Sequence, residues 1–221
     1  QEKRNANLIS TFRKLPYVIN LYEWRKRQMT TLKVQRRNME TKAKKLRREG
    51  YVTGNLFGKE IEGSIPLQIE KQEAERIERE CMKGSQLYLE LDGKTYDVLI
   101  KEMDYRPMDH QILEMDFQAL VKGEKVHSVA EVILLNKEKV TEGVLEQLLE
   151  EIAYKATPEE LVEKVEIDCA TLRLGDTLKV ADLDIAKNDK IDLQTDLDAP
   201  IVSILASNNE VAEDEEESAE E

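Results

Sequence analysis

Five basic side chains, Lys42, Lys44, Lys45, Arg47 and Arg48, fall within seven consecutive positions of the stretch TKAKKLRREGYVTGNLFG (41–58). Cations at that density do one kind of chemistry without a cofactor: they neutralise phosphates and release condensed counterions from a nucleic-acid backbone. The chain that carries them has a formal net charge of −13, so the cluster departs from the average composition. Residues 1–50 hold 15 Lys and Arg against 4 Asp and Glu, whereas residues 51–221 hold 18 against 42. A sign change at one point in the chain suggests a basic, nucleic-acid-contacting end joined to an acidic remainder. The alternative is a solvated basic helix whose charge is merely uneven.

Other chemistries lack their residues. The sequence has no phosphate-binding glycine loop, no GxSxG nucleophile turn and no HExxH metal motif. His110 and His127 stand seventeen residues apart without neighbouring cysteines, and Cys81 and Cys169 are too few for a zinc ribbon or a disulfide framework. Catalysis, metals and cofactors are therefore not expected, and neither is a small-molecule substrate. Two isolated cysteines fit a reducing compartment. No apolar run approaches the roughly 20 residues that span a bilayer. The run LPYVINLY near the start is interrupted by Pro16 and Asn20, which argues against a secretory signal. A cytoplasmic protein without a membrane partner is the expectation.

The elements that must position the basic run follow from local pattern. MTTLKVQRRN, from Met29, reads as a strand. Met39–Glu49 is mostly good helix formers, and Gly50 sits where a glycine stops a helix. Helical spacing turns Ala43 and Leu46 inward and gathers Lys44, Arg47 and Arg48 on another face. GYVTGNLFGKE and GSIPLQIE read as a strand and its return, and KQEAERIERECMKG as a helix ended by Gly84. LYLELDGKTYDVLI (87–100) is a hairpin turning at Asp92-Gly93, with Leu87 opposite Val98 and Leu89 opposite Tyr96. HQILEMDFQAL (110–120) adds another strand. Short strands with few helices predict a small β-barrel or curved sheet.

From Lys122 a second, mostly β unit is expected up to residue 206. Within it EGVLEQLLEEIAYKA is compatible with either a helix or strands. The organisation expected is thus a basic N-terminal appendage (1–28), a barrel domain (29–121), a β-rich C-terminal domain (122–206) and a disordered acidic tail (207–221) with eight acids from Glu210 to Glu221.

The combination of AKKLRREGYVTGNLFGKE, VLIKEMDYRPMDHQILEMDF and ATPEELVEKVEIDCATLRLGDTLKVADL resembles the bacterial ribosomal protein family that binds 5S ribosomal RNA, in its two-domain, general stress protein Ctc form. The likeness covers roughly 29–206. It implies a mainly β, α+β protein: a six-stranded barrel that grips 5S RNA, followed by a β-rich domain facing outward. Its partners would be 5S rRNA and other large-subunit proteins. The family's basic run falls on Lys44, Lys45 and Arg47, with Lys42, Arg48, Arg36 and Arg37 adding charge nearby. Its aromatic before the strand-end glycine falls on Phe57, and the Asp of its H-x-D-F motif on Asp116. Asp104, Arg106, Glu114 and Asp116 would line the polar sheet face.

The chain also departs from that pattern. Asp104 stands where Gln is usual, Glu114 where His is usual, Phe57 where Tyr is usual and Thr53 where Pro is common. Carboxylates in place of Gln and His remove donors and add negative charge near phosphate. Two further readings follow: a stress-related protein-interaction module with weakened RNA binding, and a tRNA-binding role, since similar barrels occur in glutaminyl-tRNA synthetase anticodon domains. Tyr51, Phe57 and Phe117 are expected in the barrel core rather than stacked on bases.

Overall fold

In the computed structural model, residues 29–140 and 143–206 are described. The proposed appendage (1–28) and acidic tail (207–221) lie outside these residues. The N-terminal half is a closed six-stranded barrel in the order β1–β3–β2–β6–β5–β4. Its strands are β1 (Thr31–Arg36), β2 (Tyr51–Phe57), β3 (Ser64–Glu70), β4 (Gln86–Leu91), β5 (Lys94–Tyr105) and β6 (Ile112–Ala119). β1 alternates, burying Leu32 and Val34 while Lys33 and Gln35 face water. It closes the barrel by running parallel to β4 from Thr31 to Val34 and antiparallel to β3 at Gln35 and Arg36. The interior is filled by alternate side chains of every strand, among them Val52, Leu56, Leu67, Ile69, Leu89, Ile100, Met115 and Phe117.

The hairpin has the expected register, with Leu87 opposite Val98 and Leu89 opposite Tyr96. Asp92 and Gly93 both have positive φ, 52° and 75°. This is the type I′ geometry whose twist matches the flanking strands. Two helices complete the barrel, α1 (Ala43–Arg48) and α2 (Lys71–Glu80). α2 buries Ala74 and Ile77, three apart on one face, against the barrel interior. It ends at Glu80, because Cys81 is already extended, so Gly84 is not its terminator as the sequence suggested.

The second half packs two small sheets over one core. One has the order β10–β7–β9–β12 and the other β11–β13–β8. The strands are β7 (Val126–Leu135), β8 (Val144–Gln147), β9 (Glu151–Ala156), β10 (Lys164–Asp168), β11 (Thr177–Lys179), β12 (Asp192–Leu193) and β13 (Pro200–Leu205). The stretch open to a helical or a strand reading thus forms β8 and β9. The deciding pattern is period two: Ile152, Tyr154 and Ala156 are buried while their neighbours are not. The Tyr154 hydroxyl donates to the Val162 carbonyl and accepts from the Val162 amide, both at 2.8 Å, which ties the following loop to the core.

The halves meet along β5 and β7. Leu99 of β5 is buried in the second core rather than the barrel. Lys101 Nζ donates to the His127 carbonyl at 3.0 Å, Lys83 pairs with Glu151 at 2.8 Å, and Lys59 pairs with Glu124. Gly84 packs closely against Val129 at this junction. Its φ is +86°, and a Cβ there would lie 2.2 Å from the Val129 carbonyl oxygen. Gly84→Ala is therefore expected to lower the unfolding free energy by about 3 kcal/mol, combining left-handed strain with overpacking. A urea titration of the variant checks this.

Candidate nucleic-acid interface

The basic helix α1 is shorter than composition suggested. Residues 38–41 form a turn in which the Thr41 amide donates to the Asn38 carbonyl at 3.1 Å and the Glu40 amide to Asn38 Oδ1 at 2.9 Å. Such local side-chain bonds compete with helix. Lys42 is extended, and helix begins at Ala43. At the other end Gly50 (φ +89°) turns the chain into β2, and its carbonyl accepts from the Lys71 amide at 2.9 Å. Leu46, 5% exposed, is the helix's buried anchor. Lys42, Lys44, Lys45 and Arg48 are exposed, and Lys45 shares an exposed ion pair with Glu49 at 3.7 Å. Pairs of that kind contribute little.

Arg47 does not join this exposed face, contrary to the helical-wheel expectation. It is half-buried and turned toward the sheet, where its Nε donates to the Leu113 carbonyl at 3.0 Å and its Nη2 to Thr53 Oγ1 at 3.2 Å. A six-residue helix lying across the end of β2 must turn one side to the barrel, and Leu46 and Arg47 share that side.

Beside α1 the barrel presents a polar outer face. β2 alternates Val52, Gly54 and Leu56 inward with Tyr51, Thr53, Asn55 and Phe57 outward. Register then sets Thr53 beside Glu114 and Asn55 beside Asp116, with Asp104 opposite Glu114 and Glu102 opposite Asp116. On the other side Thr53 faces Gln68, which faces Gln35. The row Gln35–Gln68–Thr53–Glu114–Asp104 thus crosses five strands, a span of about 19 Å at normal strand spacing. Asn55 is its hub: Nδ2 donates to Glu114 Oε1 at 3.2 Å and to Asp116 Oδ1 at 3.0 Å, and its backbone amide donates to Asp116 Oδ1 at 3.0 Å.

Sequence reading missed Asn55, since nothing marks it until register places it between two carboxylates. Among the residues it did select, Asp104, Glu114 and Asp116 come together on this face. Phe57 lies on the same side of β2 and is half-buried. The aromatic expectation thus holds for Phe117, in the core, but neither for Phe57 nor for Tyr51, which are half-buried on the outward side. Arg36 pairs with Asp92 at 2.7 Å, at the β4–β5 turn. Arg37 is half-buried against the 38–41 turn: its Nη2 donates to the Thr41 carbonyl at 3.2 Å, and its Nε is buried without a partner among the described residues. Arg106 pairs with Asp109 at 3.1 Å in the β5–β6 loop.

Chemically the interface has two parts, a cationic ridge and a face rich in acceptors. Ionised carboxylates accept hydrogen bonds and donate none. Burial pushes both cysteine thiols up, which disfavours the reactive thiolate. Among the described residues no cluster of three or more His, Cys, Asp or Glu is arranged to hold a metal ion, and no helix is long and apolar enough to cross a membrane.

A closed barrel with a cationic helix beside a polar outer face, followed by a two-sheet β region, defines a class of two-part β protein. Comparison with known sequences identifies it further. The Ribosomal L25p family model matches residues 32–117, and that of Ribosomal protein TL5, C-terminal domain, matches residues 125–208. Large ribosomal subunit protein bL25 of Alteromonas mediterranea is 31% identical over 193 residues, covering 81% of this chain and 90% of that protein. The bL25 of Carboxydothermus hydrogenoformans is 29% identical over 192 residues, covering 85% and 93%, and that of Listeria monocytogenes is 29% identical over 185 residues, covering 82% and 88%. The chain belongs to the bL25 family of bacterial large-subunit ribosomal proteins, in the two-domain form. Membership agrees with the expected resemblance, with the barrel fold and with a non-catalytic role.

Replacing Asn55 by Ala leaves Glu114 and Asp116 side by side without their shared donor. The variant is expected to lose about 1–2 kcal/mol of stability, read from its urea midpoint.

Proposed function

We propose that this protein binds 5S rRNA within the large subunit, using residues 29–121 as the RNA-binding domain and 122–206 as a domain that contacts other components. The observation that carries the reading is the exposure of Lys42, Lys44, Lys45 and Arg48 on and just before α1, beside the sheet face that carries Glu114 and Asp104. The ridge supplies cations for phosphates, and the sheet supplies position and discrimination. A-form RNA shows 2′-hydroxyls and base edges across a wide, shallow minor groove. Both the 2′-hydroxyl and the guanine 2-amino group donate hydrogen bonds, so an acceptor-rich face is suited to them and not to phosphate.

The carboxylates at Asp104 and Glu114 favour one second reading, a protein-interaction module, possessing the same fold, in which RNA affinity is vestigial and any stress-related role lies with the second domain. Binding of the full chain to a 5S RNA helical fragment across a salt series separates the two, with an unrelated duplex as control. Selective binding that weakens with salt is expected. Replacing Lys44 and Lys45 together by Gln should flatten the log–log salt slope by about two. Equal, weak binding to both RNAs would bring the protein-interaction reading forward.

A further inference from the structure

The β5–β6 register passes from Asp104–Glu114 to Tyr105–Ile112, so Leu113 is skipped. The β2–β6 ladder begins only at Thr53–Glu114, so Leu113 also lies just outside it. A bulge of this kind leaves its extra residue's backbone to be satisfied by something other than the ladder. Here the Leu113 carbonyl accepts from Arg47 Nε at 3.0 Å and from Thr53 Oγ1 at 3.3 Å, while Thr53 Oγ1 accepts from Arg47 Nη2 at 3.2 Å. The three groups close a triangle that joins α1, β2 and β6. Helix α1 has six residues and one buried apolar side chain, Leu46. Helices so short have little stability of their own and take their orientation from tertiary contacts.

We infer that Arg47 is a positioning residue: it fixes the orientation of the basic ridge against the sheet, and it contributes to RNA affinity through that orientation rather than by touching a phosphate. The inference rests on the RNA-binding reading above. Arginine is needed because its fork reaches two acceptors at once, whereas lysine carries the same charge on a single nitrogen. Thr53 is 1% exposed, so it reports on the triangle alone and not on contact with RNA.

The test uses the full chain with Arg47→Lys, Arg47→Gln, Thr53→Val and the Arg47→Lys/Thr53→Val double variant. Affinity for the 5S RNA fragment is measured together with amide hydrogen exchange in the RNA-free protein. Arg47→Lys and Arg47→Gln should lose affinity alike, by about tenfold. Thr53→Val should also weaken binding, and the double variant should be no worse than Arg47→Lys alone, the non-additivity of groups acting as one unit. Without RNA, exchange at the Leu46 and Glu49 amides should quicken in all three single variants. Wild-type affinity in Arg47→Lys with a loss in Arg47→Gln would mean that the charge acts on phosphate, and would overturn the inference. So would unchanged exchange at Leu46 and Glu49, whatever the RNA result. If the unsubstituted chain shows no selectivity for the 5S fragment, the RNA reading fails, and the exchange result alone decides whether Arg47 orients the helix.

Discussion

The double pairing of β1 is the constraint on which the rest depends. Parallel to β4 over four residues and antiparallel to β3 over two, this strand turns a five-strand sheet into a closed barrel. Closure removes the free edges that an open sheet would present. It also sends alternate residues of every strand to one shared interior. The outward residues then form rows across strands that are distant in sequence. Thr53, Glu114 and Asp104 become neighbours only because β2 lies parallel to β6 and β6 antiparallel to β5. The end of β1 also delivers the chain into the 38–41 turn, so the same strand that closes the barrel sets where α1 starts.

The interface divides charge in space as the chain divides it in sequence. A phosphate attracted to Lys44 or Arg48 would be repelled by Glu114 wherever the two fall within a Debye length of about 8 Å. On the proposed RNA reading, this division would set how a duplex lies, with backbone on the ridge and groove donors on the sheet. Asn55 keeps the acidic side tolerable by donating to Glu114 and Asp116 at once. Its remaining task is geometric, since a carboxylate held by one donor has its other lone pairs aimed outward.

Much of this was legible in the sequence because it is local. The Asp92-Gly93 turn set the hairpin register, and local pattern marked β1 and β2 as strands, though not which face of β2 is interior. The basic run was visible from composition alone. What stayed hidden depends on contacts between distant segments. The inward turn of Arg47 follows from a bulge at Leu113, 66 residues away. The role of Gly84 depends on Val129 across the junction and not on the helix it follows. Met39–Lys42 has helical composition, yet Asn38 draws those residues into a turn through its own side chain. The β8–β9 region contains residues suited to either state, and only the second core selects the strands.

The junction between the halves carries the same logic into the larger molecule. Gly84 against the Val129 carbonyl, Leu99 inside the second core and Lys101 on the His127 carbonyl are three contacts of different kind at one seam. A flexible linker would need none of them. Because β5 supplies both Leu99 to the second core and Asp104 to the outer face, the strand that presents the acceptor row is the one anchored to the second half. The acceptor side of the candidate interface is thus built on a strand whose Leu99 packs into the second core, so the two halves share one structural element.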